Sequence, residues 1–360
     1  MNDPRIERYA RLLVETCVDI QPGWEVLVVS TPIARPLLEE LARQIGRKGA
    51  YVYQRLDFSG TSAAVTAWLE EAPDEILEEL PPIDRYTIEN VHCVIAVSAP
   101  ENTRDGTTVP AERMAKLNTA YRPAMERMLS GALPWVGCQF PCHALAQEAG
   151  MSLSEFEDFL YGACLIDWDA ERERMQTVKD RLDAADEIRI SASGTDLTLS
   201  VAGREGMIDA GGANMPGGEV FYCPLETSAN GEIVFSEFPA VYNGREVTKI
   251  RLRFEEGVVV EASADSQQEY LLELLDTDDG SRRLGEIGFG CNPGITRHMR
   301  NTLFDEKING TVHLALGNGI GLIGGTNESA IHWDIVKDLH DGGRIYADGE
   351  LILEDGDWRL

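Results

Sequence analysis

The first half of the chain alternates short apolar runs with longer amphipathic ones, and that rhythm restricts it to an α/β arrangement built on parallel strands. Trp24 to Ser30 (WEVLVVS) reads as a strand entered through the turn Gln21-Pro22-Gly23. Pro32 to Lys48 carries apolar residues at helical spacing, Gly49 stops it, and Ala50 to Leu56 (AYVYQRL) is the next strand. The same reading expects helices over Asp3–Val18, Ala63–Leu80 and Pro110–Leu129, and strands at Val91 to Ala99 and Ala132 to Cys138. An open, mostly parallel sheet with helices on both faces follows. Two more helical patterns, Ser152–Gly162 and Ile166–Asp183, lead away from it, the second dense in Asp, Glu, Arg and Lys. The expected organisation is an α/β domain over residues 1–183 and a second domain over 184–360.

Beyond that boundary the pattern changes. Glu187 to Gly203 reads as a hairpin turned at Ser193-Gly194, Thr248 to Ala264 as another at Glu256-Gly257, and Arg344 to Gly356 as a third at Asp348-Gly349. One helix, Gln267–Leu275, interrupts them. The second domain is therefore expected to be a β-rich α+β domain.

Chemistry concentrates in three of its strands. In Ala330 to Ile335, alternation sends Ile331, Trp333 and Ile335 to one face and His332 with Asp334 to the other. In Thr311 to Leu316, Val312, Leu314 and Leu316 take the apolar side and His313 lies opposite among small residues. In Gly285 to Gly290, Ile287 and Phe289 point one way and Glu286 the other, beside Gly288 and Gly290, which leave room next to the carboxylate. Singly, each of these is more often a solvated or hydrogen-bonded side chain than a ligand. Together they form a mixed carboxylate and imidazole set that suits Zn²⁺, Mn²⁺, Co²⁺ or Fe²⁺.

Composition removes other classes. Asp and Glu number 61 against 32 Lys and Arg, and a net charge of −29 repels phosphate backbones and anionic lipid, so neither nucleic acid nor membrane is an expected partner. No apolar run approaches the ~18 residues of a membrane span, and the charged start MNDPRIERYARLL lacks a secretory apolar core. Seven scattered cysteines fit free thiols, and a cytoplasmic location is expected. The glycine-rich stretches GGANMPGGE and IGFGCNPGI do not follow a strand and open a helix as phosphate loops do, and no G-x-S-x-G elbow is present.

Four segments, NMPGGEVFYCP, LGEIGFGCNPGIT, NTLFDEKINGTVHLALG and SAIHWDIVKDL, occur in the order of the metal-binding segments of a known family, and the chain resembles the M29 metallopeptidases along its whole length. That resemblance implies a dinuclear divalent-metal site, with Zn, Co or Mn, held by Glu219, Glu286, His313, His332 and Asp334. It also implies that the carboxylates Glu219 and Glu286 serve catalysis, with the metals polarising the scissile carbonyl and one carboxylate moving a proton to the leaving amine. The implied activity is release of N-terminal amino acids from short peptides by a homodimer. The chain departs from the family at Ile320, seven residues past His313, where a tyrosine is usual. Loss of one such donor can lower turnover by roughly 10²–10³. An alternative on the same scaffold is a mononuclear iron(II) dioxygenase of the dihydroxypyridine-opening type, which also keeps a His-x-Asp pair; a non-enzymatic ligand-binding role is a third reading.

Overall fold

A computed structural model of the chain describes residues 3–58, 63–104 and 109–360. The chain forms two compact units: Met1–Ile166 with Gly211–Pro216, and Asp167–Ala210 with Gly217–Leu360.

The first unit is built on the expected parallel sheet. Its strands run in the order Tyr51–Leu56, Glu25–Ser30, Cys93–Ser98, Trp135–Gln139 and Asn214–Met215, every neighbouring pair parallel. Val26 and Val28 lie beside Cys93 and Ile95 on one face, and Leu27 beside Val94 on the other, all buried. Burial on both faces explains why these strands read as continuous apolar runs rather than alternating ones. The edge strand Tyr51–Leu56 is instead exposed along its length.

Several helices differ from expectation in ways proline explains. The segment expected as one helix over Ala63–Leu80 is two, Ala63–Glu71 and Asp74–Leu77, separated at Pro73, which lacks the N–H a continuing helix needs. The next helix, Pro82–Asn90, starts on a proline at its first position, where no N–H is required, and was not anticipated; nor was the short helix His143–Glu148. The amphipathic N-terminal segment is an α-helix, Pro4–Leu12, capped by the Asp3 carboxylate and widening into a π-turn over Leu13–Cys17.

The compact units divide at Ile166 rather than near Asp183. The charged helix Trp168–Asp183 goes with the second unit, burying Met175, Val178 and Leu182. Its polar face is fixed there too: Arg181 Nη2 donates to the Ala347 carbonyl at 2.9 Å, and Arg174 donates to Asn309 at 3.1 Å and to the Cys291 carbonyl. The segment Gly211–Pro216 lies beyond the boundary expected from sequence but supplies the last strand of the first sheet.

The second unit contains two large antiparallel sheets and a two-stranded one, Ala240–Tyr242 with Arg245–Val247. The larger has eight strands, in the order Val258–Ser263, Ile250–Glu255, Asn230–Phe235, Thr195–Ser200, Glu187–Ala192, Arg344–Ala347, Glu350–Glu354 and Asp357–Trp358. All three expected hairpins are in it. Two turn on pairs with positive φ at both central residues, Glu256-Gly257 (48° and 79°) and Asp348-Gly349 (51° and 81°), the backbone twist that two-residue hairpins require. The helix Gln268–Leu275 lies within one residue of expectation. The other large sheet has five strands, in the order His332–Asp338, Thr311–Gly317, Leu284–Gly290, Glu219–Tyr222 and Met207–Asp209. Its central strands Thr311–Gly317 and Leu284–Gly290 are buried throughout. Among the described residues, no helix is long and apolar enough to cross a membrane.

Candidate metal centre

The five-stranded sheet gathers its polar side chains by register. Ala315 lies opposite Glu286 on one side and Asp334 on the other, so a methyl group separates two carboxylates on a common face. One pair along, His313 faces Gly288; at the end of the row His332 faces Gly317, and Glu219 faces Gly290 across the next strand. The opposite face is apolar as expected, with Ile287, Phe289, Val312, Leu314, Trp333 and Ile335 all buried. Glu219 is held at the start of its strand by the glycines before it: Gly218, at φ 115°, donates to the Asp209 carbonyl at 2.6 Å, and Asn292 Nδ2 donates to the Gly217 carbonyl at 2.8 Å. Only Gly217-Gly218 and Asn292 of the stretches GGANMPGGE and IGFGCNPGI thus place Glu219; Asn214–Met215 and Ile287 to Gly290 within them are strand residues rather than turns.

The donor atoms converge. His332 Nε2 lies 3.3 Å from Glu286 Oε2 and 3.5 Å from Asp334 Oδ1. His313 Nε2 lies 3.4 Å from Glu286 Oε1 and 3.7 Å from Glu219 Oε2. Metal–ligand bonds of ~2.1 Å in tetrahedral array put donors about 3.4 Å apart, close to these separations. Glu286 directs one oxygen to each histidine and so joins two donor clusters, Glu286–His332–Asp334 and Glu219–Glu306–His313, each with its ligand atoms within 4.8 Å of one another.

Two further observations fit a cation. Each imidazole is oriented through its other nitrogen, His332 Nδ1 lying 2.8 Å from the Asn318 carbonyl and His313 Nδ1 3.1 Å from that of Glu306. A ring N–H donated to a carbonyl leaves Nε2 with its lone pair toward the cluster, as in metal-bound histidines. Glu219 Oε2 is buried with no hydrogen-bond partner, a costly state for a carboxylate oxygen unless a ligand meets it.

The electrostatics reflect crowding of like charge. Burial pushes the Glu219 carboxyl up to about 8 even with Lys307 beside it, and burial likewise raises Glu306. For His313 burial favours the neutral ring, but the hydrogen bond to Glu286 and the charge of Glu219 prevail and raise it to about 10. Burial also opposes ionisation of Asp334, yet His332 holds it below the usual carboxylate range. Protons and a divalent cation compete for this negative field.

The structure brings together all five residues singled out from sequence and adds two that sequence reasoning missed. Glu306 and the fully buried Lys307 follow a single helical turn, Thr302–Asp305, in a segment with neither strand nor helix periodicity to mark which side chains point inward. The signals available were their place inside the segment NTLFDEKINGTVHLALG and the adjacency of Glu and Lys shortly before a buried strand.

The family model described as thermophilic metalloprotease (M29) matches residues 2–358. The chain belongs to the M29 metalloprotease family. Aminopeptidase 2 of Geobacillus stearothermophilus is 30% identical, the match covering 99% of this chain and 98% of the relative. Aminopeptidase T of Thermus thermophilus is 27% identical, covering 98% of each. The solved structure of wild-type AmpT from Thermus thermophilus has the same fold, with a TM-score of 0.84 over 99% of both chains at 24% identity.

In this M29 chain the backbone of Ile320 is tied to Cys223: the Ile320 N–H donates to Sγ at 3.2 Å, and its carbonyl accepts from the thiol at 3.6 Å. Its side chain is hydrocarbon and offers the site neither proton nor hydrogen bond.

Proposed function

We propose that this chain is a metal-dependent aminopeptidase that releases N-terminal residues from short peptides. The observation that carries the reading is Glu286, whose two oxygens face His313 and His332 and join the two donor clusters into one site. A divalent cation, Zn, Co or Mn, would be held by Glu286, His332 and Asp334, and would supply Lewis acidity toward a peptide carbonyl and toward water. Glu286 and Asp334 set the charge of that half, and the Asn318 carbonyl keeps the His332 ring aimed at it. Glu219 suits the proton transfer to a leaving amine: it is buried, raised to about 8, and keeps one oxygen free of hydrogen bonds. Surplus carboxylate charge also favours a substrate whose terminus is an ammonium.

Pairing of two copies is supported by the resemblance and by the exposed edge strand Tyr51–Leu56, where Tyr51 and Tyr53 are 67% and 52% exposed. A cytoplasmic setting is supported by seven cysteines, none of them in a disulfide among the described residues.

The test is a panel of short peptides, free and N-acetylated, incubated with purified protein supplied with zinc, cobalt or manganese, or with chelator. Release of the first residue from free peptides alone, abolished by chelator, is the expected result. Equal cleavage of acetylated peptides, or no cleavage under any metal, rejects the reading; a protein that holds one iron and opens dihydroxypyridine rings would replace it with the oxygenase alternative.

A further inference from the structure

Lys307 is a lysine with no route to solvent. Its side chain is 0% exposed, and its backbone is fixed on both sides, the N–H donating to the Phe304 carbonyl at 3.0 Å and the carbonyl accepting from Asn292 at 2.9 Å. Its ammonium Nζ lies 3.1 Å from Glu219 Oε1 and against Glu306 Oε1. Those two carboxylates belong to one donor cluster, Glu219–Glu306–His313. A third buried acid, Asp209, adds its field to the same ammonium from the edge strand of the sheet. The other cluster is different: among the described residues, the ion-pair partners of Glu286 and Asp334 are histidines, with no lysine or arginine.

We propose that the Lys307 ammonium is the second cation of this site, standing where a second metal ion would otherwise be held by Glu219 and Glu306, so that each chain binds a single divalent ion tightly, at Glu286, His332 and Asp334. The inference rests on the metallopeptidase reading above and specifies how its two clusters are filled. A second metal ion held by Glu219 and Glu306 would lie beside an ammonium already bonded to one oxygen of each, and the two cations repel. Burying an ammonium is favourable only when charge and hydrogen bonds are returned to it, and here the carboxylates return both. Lys307 is then a positioning residue: it takes one oxygen of Glu219 and leaves Oε2, 3.7 Å from His313 Nε2 and without a hydrogen bond, for the reacting centre. The lysine differs from a metal in carrying one charge rather than two and in having no vacant coordination position, so it orients and neutralises and meets an oxygen only as a hydrogen-bond donor, not as a Lewis acid.

The experiment is a zinc titration of chelator-treated wild type and of Lys307→Ala and Lys307→Met, followed by calorimetry and by elemental analysis after desalting, with peptide cleavage assayed on the same samples. One zinc per wild-type chain and two in Lys307→Ala, where volume and donors are both released, is the expected result. Two zinc ions per wild-type chain overturn the proposal whether or not the variants fold, and cleavage in that sample leaves the metallopeptidase reading standing. One zinc in both wild type and a folded Lys307→Ala also overturns it, because the ammonium was then not excluding a metal. No zinc in wild type or variants, with no cleavage, defeats the underlying reading and this inference with it.

Discussion

Gly288 and His313 face each other across two antiparallel strands so closely that a Cβ placed on Gly288 would lie 2.1 Å from the imidazole Cε1. The missing side chain of one residue is the space occupied by the other. Glycine beside Glu286 is therefore a condition for packing a histidine flat against the neighbouring strand.

Gly288→Ala should accordingly displace the His313 ring. His313 Nε2 lies 3.4 Å from Glu286 Oε1, so moving the ring disturbs the orientation of that carboxylate, and outer-sphere changes of this kind typically cost about 10–100-fold in metal affinity. Competition with a chromophoric chelator measures this, and affinity within a factor of two of wild type would show that the ring can relocate at no cost.

His332→Ala should remove metal without unfolding the protein. The His332 side chain is 34% exposed, in contrast to His313 at 1%, so its loss leaves a wetted gap rather than a dry cavity. The expected result is metal content below half of wild type with an unchanged far-ultraviolet dichroism spectrum. Full metal retention would move the metal away from the His332–Asp334 pair.

Lys307→Met should destabilise the metal-free protein. Removing one partner of a buried ion pair leaves the other uncompensated and costs about 3–5 kcal/mol, and here Glu219 and Glu306 both lose their cation. Added zinc should recover part of the loss by mass action. Denaturant unfolding with and without zinc reads both numbers; a variant as stable as wild type in chelator would mean that one of the acids simply takes up a proton.

The metal-free protein should lose stability as pH rises through neutrality. Glu219 is raised from 4.5 to about 8 by burial, and His313 from 6.5 to about 10 by its carboxylate neighbours against burial. In both cases the folded state binds a proton more tightly than the unfolded state, so stability falls with pH, from about 4.5 to 8 for the first group and from about 6.5 to 10 for the second. A divalent cation bound at Glu286, His332 and Asp334 adds positive charge beside these groups, opposes their protonation and should flatten the dependence. Melting temperatures across pH 5 to ~10, with chelator and with zinc, test the sign; a metal-free protein that becomes more stable over this range contradicts it.

What was legible in the sequence was what obeys a period. His313, His332, Asp334 and Glu286 stand out because apolar residues alternate around them, and the hairpins because Glu256-Gly257 and Asp348-Gly349 are residues that turns demand. Glu219 lies on a strand of four residues, too short for alternation to single it out, and was placed by resemblance. Glu306 and Lys307 lie in the segment NTLFDEKINGTVHLALG but were not singled out within it, because tertiary packing alone turns that aperiodic stretch inward. The division between units was misplaced by the charge of the helix Trp168–Asp183, whose buried Met175, Val178 and Leu182 form too narrow a stripe to advertise its attachment.

The return of Gly211–Pro216 to the first sheet bears on the order in which the protein is made. Asn214–Met215 completes a sheet whose other four strands have all been synthesised by Gln139. A ribosome that has released only residues up to the charged helix carries an open edge at Trp135–Gln139, which stays unpaired until part of the second unit has also emerged. Truncation after Asp183 would make that transient condition permanent, leaving a fragment with an unprotected strand and a tendency to self-associate.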